Sequence, residues 1–362
     1  MSRWRLALRL VSAIVAMGWL STTSRLVQRG DAINFQDATT QDTSIQRKNN
    51  GNTTINKNTT FWRDKARINQ QGGKVSPPRF LLGIMSHDMK SPREAERRQT
   101  IRETYLSFFK EHTTREEEHR ICSLHDLLSE VVAIKDCQIA YAFVMGQVRN
   151  APADNRTELL HATSTLDMVR QHPSKDVISL DIFENGKFGK SPTWFRYATL
   201  LVKERTLPFD YIIKADSDTL LIPARFLRWM DEQEHRNDND RTQIYGGTPL
   251  DKVGCGWPSH DHCENMTAPY FHAGGFYFAS MDLSEYIVSD LCPRSKLFLP
   301  HEDVAMGNYV HSMPAVTGKP IVGFKNQDAY QTHWKHPVKD PKRIRSLWRV
   351  YMTKKKQRMN QA

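Results

Sequence analysis

Short apolar runs alternate with stretches of helical periodicity from residue 79 onward. Phe80-Leu81-Leu82-Gly83-Ile84-Met85 is a continuous apolar run that breaks at the turn-like Ser86-His87-Asp88, the mark of a strand buried on both faces. Ser91-Pro92 then reads as an N-cap followed by proline at the first helical position, with Glu94 and Glu96 in the first turn. In that helix Ile101, Tyr105 and Phe108 or Phe109 share one face, and Arg97, Arg98 and Arg102 lie on another. Residues 139–146 and 176–181 are further buried-strand candidates, and residues 157–171 and 192–204 are amphipathic enough for helices. With Tyr211-Ile212-Ile213 as the next strand, the order is β-α-β-α-β, which predicts an α/β fold with a mostly parallel sheet. Residues 110–120, a charged run, read as a solvated face or insertion, and residues 231–241, acidic and Asn-rich, as a loop.

Upstream the pattern changes. Residues 6–20 are apolar apart from Arg9, with Ser12 and Gly18 as mild interruptions, and Arg3 and Arg5 precede them. Positive residues ahead of a short apolar stretch predict a signal anchor that leaves the rest of the chain lumenal. Residues 25–78 are rich in Asn, Gln, Thr, Asp and Lys, without periodicity, and read as a disordered stem. The predicted organisation is therefore a cytosolic tail and anchor over 1–24, a stem over 25–78, a folded domain over 79–350 and a basic tail over 351–362. Glycosylation sequons at Asn52, Asn58, Asn155 and Asn265 agree with lumenal exposure. Cys122, Cys137, Cys255, Cys263 and Cys292 are compatible with one or two disulfides; spacing does not encode the pairing, and none of it matches a zinc motif.

Charge removes one class of function. The chain carries a net +11, but residues 1–80 hold 13 Lys+Arg against 4 Asp+Glu, and 8 more basic residues follow Pro341 with no acid. The 260 residues between carry 30 basic against 36 acidic side chains, a balance opposite to that of a nucleic-acid-binding domain.

Candidate chemistry gathers at three places. Asp216-Ser217-Asp218 follows the strand ending in Ile213-Lys214-Ala215, so two carboxylates at i and i+2 can converge on one hard cation. In open α/β sheets ligands bind outside the carboxyl ends of strands, where such a cation can neutralise a diphosphate. Residues 269–278 combine Gly274-Gly275 with aromatics; Phe276 and Phe278 read as core. Glu302-Asp303 opens a helix, where acids also complement the helix dipole.

In this order these segments resemble the inverting β1,3-glycosyltransferase family that includes the β3-galactosyltransferases and β3-N-acetylglucosaminyltransferases. Residues 97–105 are similar to its R-R-X-X-I-R-X-T-W helix with Tyr105 for Trp, and residues 211–218 to F-X-X-K-X-D-D-D with Ser217 in the middle. Residues 269–278 are similar to P-X-Y-C-S-G-X-G-Y, with Phe271 where the family usually has Cys, and Glu302 to Gly307 match E-D-V-X-X-G. Residues 341–348 are similar to the closing P-X-X-M-X-X-X-W helix, and a divergent trypanosomatid branch is similar over residues 181–194.

The resemblance implies a GT-A fold, a Rossmann-like mixed sheet with helices on both faces, in a single-pass type II Golgi membrane enzyme. It implies transfer of Gal or GlcNAc from UDP-Gal or UDP-GlcNAc to a hydroxyl of a glycan acceptor on glycoprotein or glycolipid. Mn²⁺ is expected on Asp218, with Asp216 on the ribose or on the metal through water, and His336 or His333 completing the shell, His336 preferred. Arg97, Arg98, Arg102 and Ser217 are expected on the donor side and Gly274, Gly275 and Glu302 on the acceptor side. Asp303 is expected to be the general base. The alternative is a catalytically silent lumenal lectin or chaperone of the same fold, against which the joint presence of Asp216, Asp218 and Asp303 argues.

Overall fold

The computed structural model describes residues 76–87, 92–107, 121–147, 159–184, 189–251, 266–297, 301–325 and 333–359. All lie in the unit Asn56–Ala362. The chain opens with β1 (Phe80–Met85) and α1 (Pro92–Glu103), then β2 (Ile121–Ser123), β3 (Ile139–Gln147), β4 (Val169–Arg170) and β5 (Val177–Phe183). Helix α2 (Lys190–Glu204) leads to β6 (Tyr211–Asp216), β7 (Leu220–Leu221) and α3 (Pro223–Arg236). β8 (Ile244–Leu250), β9 (Phe271–Ser280), α4 (Met281–Ile287), α5 (Glu302–Ser312), β10 (Val322–Lys325), β11 (Trp334–Lys335) and α6 (Pro341–Met359) follow.

Nine of the strands form one sheet in the order β10-β8-β9-β6-β1-β3-β5-β4, with β2 beside the start of β3, and β7 and β11 form a separate two-stranded ribbon. β1 lies parallel between β3 and β6, whereas β9 runs antiparallel to both β6 and β8, so the sheet is mixed, as a GT-A-type domain requires. Alternation of side chains along each strand feeds two cores. On one face Leu81, Val144 and Ile212 meet Trp194, Phe195 and Ala198 of α2, Leu283 of α4 and Met306 of α5. On the other, Phe80, Leu82, Ile84 and Ile213 meet Ile101 of α1, Phe226 and Met230 of α3, and Ile344 of α6. Every residue of β1 is buried, which accounts for its unbroken apolar sequence. Phe276 and Phe278 are core residues, as their sequence indicated.

Three expectations are corrected. In place of a helix over 157–171, the described part holds a single 3₁₀ turn, Thr165–Met168, and then β4, which pairs antiparallel with β5. Polar side chains outcompete the helix there: Ser164 accepts from the Leu166 N–H, and Glu204 accepts from the N–H and hydroxyl of Thr165 at 2.9 and 2.5 Å. The polar stretch from 231 onward is not a loop from its start, because α3 continues to Arg236. Glu234 turns inward to accept from Tyr211 at 2.7 Å and from Arg241 at 2.9 Å, and the chain turns at Asp238 and Asn239 with positive φ. The basic C-terminus is not a separate tail, since α6 runs on to Met359, packed against α1 and tied to it by Arg345 with Glu96 and Glu103.

Cys122 and Cys137 form a disulfide that ties β2 to the segment before β3, and Cys292 is free and buried. The anchor, nearly all of the stem, the four sequon asparagines, Cys255 and Cys263 lie outside the described residues. Among the described residues no helix is long and apolar enough to cross a membrane.

Candidate active site

The site grows from the carboxyl end of β6. Ser217 donates its backbone N–H to Met85 O at 3.0 Å, and Thr219 closes a tight turn on Asp216 O, also at 3.0 Å. That turn presents Asp216 and Asp218. The third member arrives from the far end of the chain, because β11 pairs antiparallel with β7 in the register Trp334↔Leu221 and Lys335↔Leu220. Ile222 N–H donates to His333 O at 2.8 Å and Val338 N–H to Asp218 O at 2.7 Å, so this ribbon delivers His336 to the turn. His336 Nε2 lies 3.1 Å from Asp218 Oδ1 and 3.6 Å from Asp216 Oδ2.

Ligand atoms of Asp216, Asp218 and His336 all lie within 4.8 Å of one another, the one such group of three among the described residues. Two carboxylates and an imidazole suit a divalent cation of intermediate hardness, and the donor set fits the expected metal. Burial pushes the Asp218 carboxyl upward, but hydrogen bonding and charge attraction from His336 outweigh it and hold it below the usual range. His333 takes no part. Its ring stacks on Trp229 at 5.5 Å, and burial together with Arg225 holds it below the usual histidine pKa.

Across a cleft of about 350 Å³, lined among others by Arg97, Lys214, Asp216, Asp218, Gly274 and Glu302, stands Asp303. It occupies the first turn of α5, where its Oδ2 accepts from Gly274 N–H at 3.1 Å and its Oδ1 from Val304 N–H at 3.0 Å. Each oxygen thus commits one lone pair to a backbone donor and keeps another free for a proton.

Lys214 joins the two halves. It donates to Asp216 Oδ1 at 2.6 Å and to the carbonyl of Gly274, the residue whose N–H holds Asp303. Burial works against its charge, yet the neighbouring carboxylates Asp216, Glu302 and Asp303 outweigh burial and raise its pKa, so the ammonium stays protonated. Sequence reasoning did not single it out, although a lone lysine in an apolar strand two residues before Asp216 must share that residue's face.

The glycines are explained by what stands over them. A Cβ on Gly275 would lie 2.2 Å from His336 Cγ, and one on Gly274 would lie 3.3 Å from Asp303 Oδ2. Gly275 therefore makes room for the metal-side histidine rather than for an acceptor. Glu302 is also committed elsewhere: its carboxylate accepts from both the N–H and the hydroxyl of Ser191, capping the first turn of α2.

The basic helix divides. Arg97 lines the cleft. Arg98 is turned toward the end of β1, where it donates to Ser86 Oγ at 3.0 Å and His87 O at 3.1 Å. Arg102 makes a two-pronged pair with Asp176 at 2.7 and 2.9 Å and lies over the Phe143 ring, away from the cleft. Ser217, in the middle of the turn, spends its hydroxyl on buried Glu94 at 2.9 Å. Lys190 also lines the cleft, its ammonium 2.5 Å from Glu184 and 3.0 Å from Ser86 O.

Comparison with known proteins adds three findings. A family model described as galactosyltransferase matches residues 96–317, a span that holds Asp216, Asp218 and Asp303 and ends before His336. No curated protein matches the chain. Among solved structures, the crystal structure of mouse xyloside xylosyltransferase 1 in its apo form is similar at 10% sequence identity and a TM-score of 0.30, covering 69% of this chain and 85% of that chain.

Proposed function

The chain belongs to the galactosyltransferase family, and from that premise we propose that it moves galactose or N-acetylglucosamine from a UDP-sugar to a hydroxyl of a glycan acceptor, with inversion and in a β1,3 linkage. The observation that carries the reading is the joint geometry of the cleft: Asp216, Asp218 and His336 gathered on one side, Asp303 on the other, and Lys214 hydrogen-bonded toward both.

The acceptor oxygen attacks the anomeric carbon on the face opposite UDP. Its new C–O bond forms as the bond from that carbon to the β-phosphate oxygen breaks, the electron pair leaves with UDP, and the hydroxyl proton passes to Asp303. A single displacement inverts the anomeric centre and needs one carboxylate, where a retaining enzyme needs a nucleophile and an acid/base together. Mn²⁺, held by Asp218, Asp216 and His336, would supply charge neutralisation for the departing diphosphate. Lys214 orients Asp216 through its hydrogen bond and fixes the Gly274 segment against which Asp303 rests. The basic and apolar pattern of residues 3–20, followed by sequons, supports a type II Golgi membrane protein with this site in the lumen.

The test is UDP release by the full chain offered UDP-Gal and UDP-GlcNAc separately, with Mn²⁺ or with EDTA. Metal-dependent hydrolysis of one donor is the expected result and identifies the sugar. Absence of turnover, together with no shift of the melting temperature by either donor with Mn²⁺, would overturn the reading in favour of a silent lectin or chaperone.

A further inference from the structure

Beneath the Asp216-Ser217-Asp218 turn lies a carboxylate with no assigned role. Glu94, in the first turn of α1, is 2% exposed and faces the floor of the cleft. Its Oε2 accepts from Ser217 Oγ at 2.9 Å and from Ser86 Oγ at 3.2 Å, and its Oε1 accepts from Arg97 Nη1. Arg97 reaches onward: its Nε and Nη2 donate to Lys339 O at 3.3 and 2.9 Å, joined there by Arg93 Nη2 at 2.9 Å. Lys339 lies three residues after His336. One buried acid therefore grips the turn that carries Asp216 and Asp218 and, through Arg97, the segment that carries His336.

We infer that Glu94, on α1, is a positioning residue that assembles the three-residue donor set carried by the end of β6, the turn after it and the segment after β11, and that the hydroxyl at Ser217 is its required partner. The inference rests on the metal-dependent reading above. Groups that orient ligands without touching the metal change affinity about 10- to 100-fold when altered. Ser217 is 6% exposed and donates to Glu94, so a carboxylate at 217 would meet Glu94 as a like charge where both side chains are largely buried. A Gln at 94 can instead donate to an Asp at 217. The pairing is thus directional: Glu94 with Ser217 works, Glu94 with Asp does not, and Gln with Asp works again.

The experiment compares full-length wild type, S217D, E94Q and E94Q/S217D by two measures. One is Mn²⁺ affinity in the presence of UDP, read from the free Mn²⁺ electron paramagnetic resonance signal. The other is the thermal midpoint without metal. S217D is expected to lose about tenfold or more in Mn²⁺ affinity and to melt earlier, and E94Q/S217D to recover most of both losses. A general role for Glu94 in stability would make the double variant worse than either single one, which overturns the inference, as does an S217D protein indistinguishable from wild type. If S217D fails to fold, recovery of a folded E94Q/S217D protein supports the coupling and its failure refutes it. Should wild type itself bind no Mn²⁺, the metal reading falls while the thermal midpoints still decide the Glu94–Ser217 pairing.

Discussion

Gly275→Ala isolates the metal half of the site with a single methyl group. The added Cβ would stand 2.2 Å from His336 Cγ, 2.3 Å from Nδ1 and 2.7 Å from Cδ2, where ordinary contact begins at 3.4 Å. The imidazole must retreat by about 1.2 Å, the difference between contact and the first of those distances. It has little room to do so, because the Val338 and Ile222 hydrogen bonds pin the segment on both sides and Trp334 is stacked on Phe276 at 4.3 Å. A metal site tolerates about 0.2 Å in ligand distance, well below the shift the methyl forces. Mn²⁺ affinity with UDP present, measured by titration of the free-ion signal, should therefore fall about 10- to 100-fold, with about 1–3 kcal/mol of stability lost to overpacking. Two controls sharpen the result. Gly275→Ala combined with His336→Ala should bind no worse than His336→Ala alone, since the methyl acts through the ring it displaces. Gly274→Ala, whose Cβ meets Asp303 Oδ2 at 3.3 Å, should spare metal affinity and lower turnover. Wild-type Mn²⁺ affinity in Gly275→Ala would refute His336 as a ligand.

Lys214→Met should leave Asp216 without its lysine partner and the Gly274 carbonyl without its donor; because Asp216 is one-third exposed, a stability loss of about 1–3 kcal/mol, read by urea denaturation, and a loss of turnover are expected, and Lys214→Arg should not restore turnover because a planar fork replaces a point donor. Acid should weaken the fold through His272, whose pKa burial lowers to about 3 from 6.5. The folded ring stays neutral while the unfolded one takes up a proton below about pH 6.5, so stability falls as pH drops from there toward 3. The slope is about 1.4 kcal/mol per pH unit, and His272→Gln should remove one proton's worth of it in urea denaturation at pH 7, 5 and 4.

Much of this architecture is readable from local pattern. β1, β3 and β6 are legible because strands buried on both faces carry largely apolar runs, β5 because buried and part-exposed positions interleave along it, and α2 because one face must cover the sheet. The helix expected over 157–171 failed because helical periodicity there is overridden by contacts from afar: Glu204, far along the chain, captures Thr165. The same distinction runs through the site. Asp216 and Asp218 lie two positions apart in sequence and are visible as a pair. The choice of His336 over His333 depends on the β7–β11 register, which turns one ring to the carboxylates and the other onto Trp229. Arg98, Arg102 and Glu302 carry the right chemistry for a ligand, yet Ser86, Asp176 and Ser191 claim them, partners that only the folded chain brings within reach. Glu94 reads as an ordinary first-turn acid until Ser217 is seen above it.

The most direct test of the account is Asp303→Asn, with UDP–Mn²⁺ binding and donor turnover measured on the same preparation. The amide keeps the shape of the side chain and an oxygen for the Gly274 N–H, but it cannot take a proton at neutral pH. Wild-type UDP–Mn²⁺ affinity with turnover reduced about 10²-fold or more is the expected result. Near wild-type turnover in Asp303→Asn would contradict it and remove Asp303 as the base.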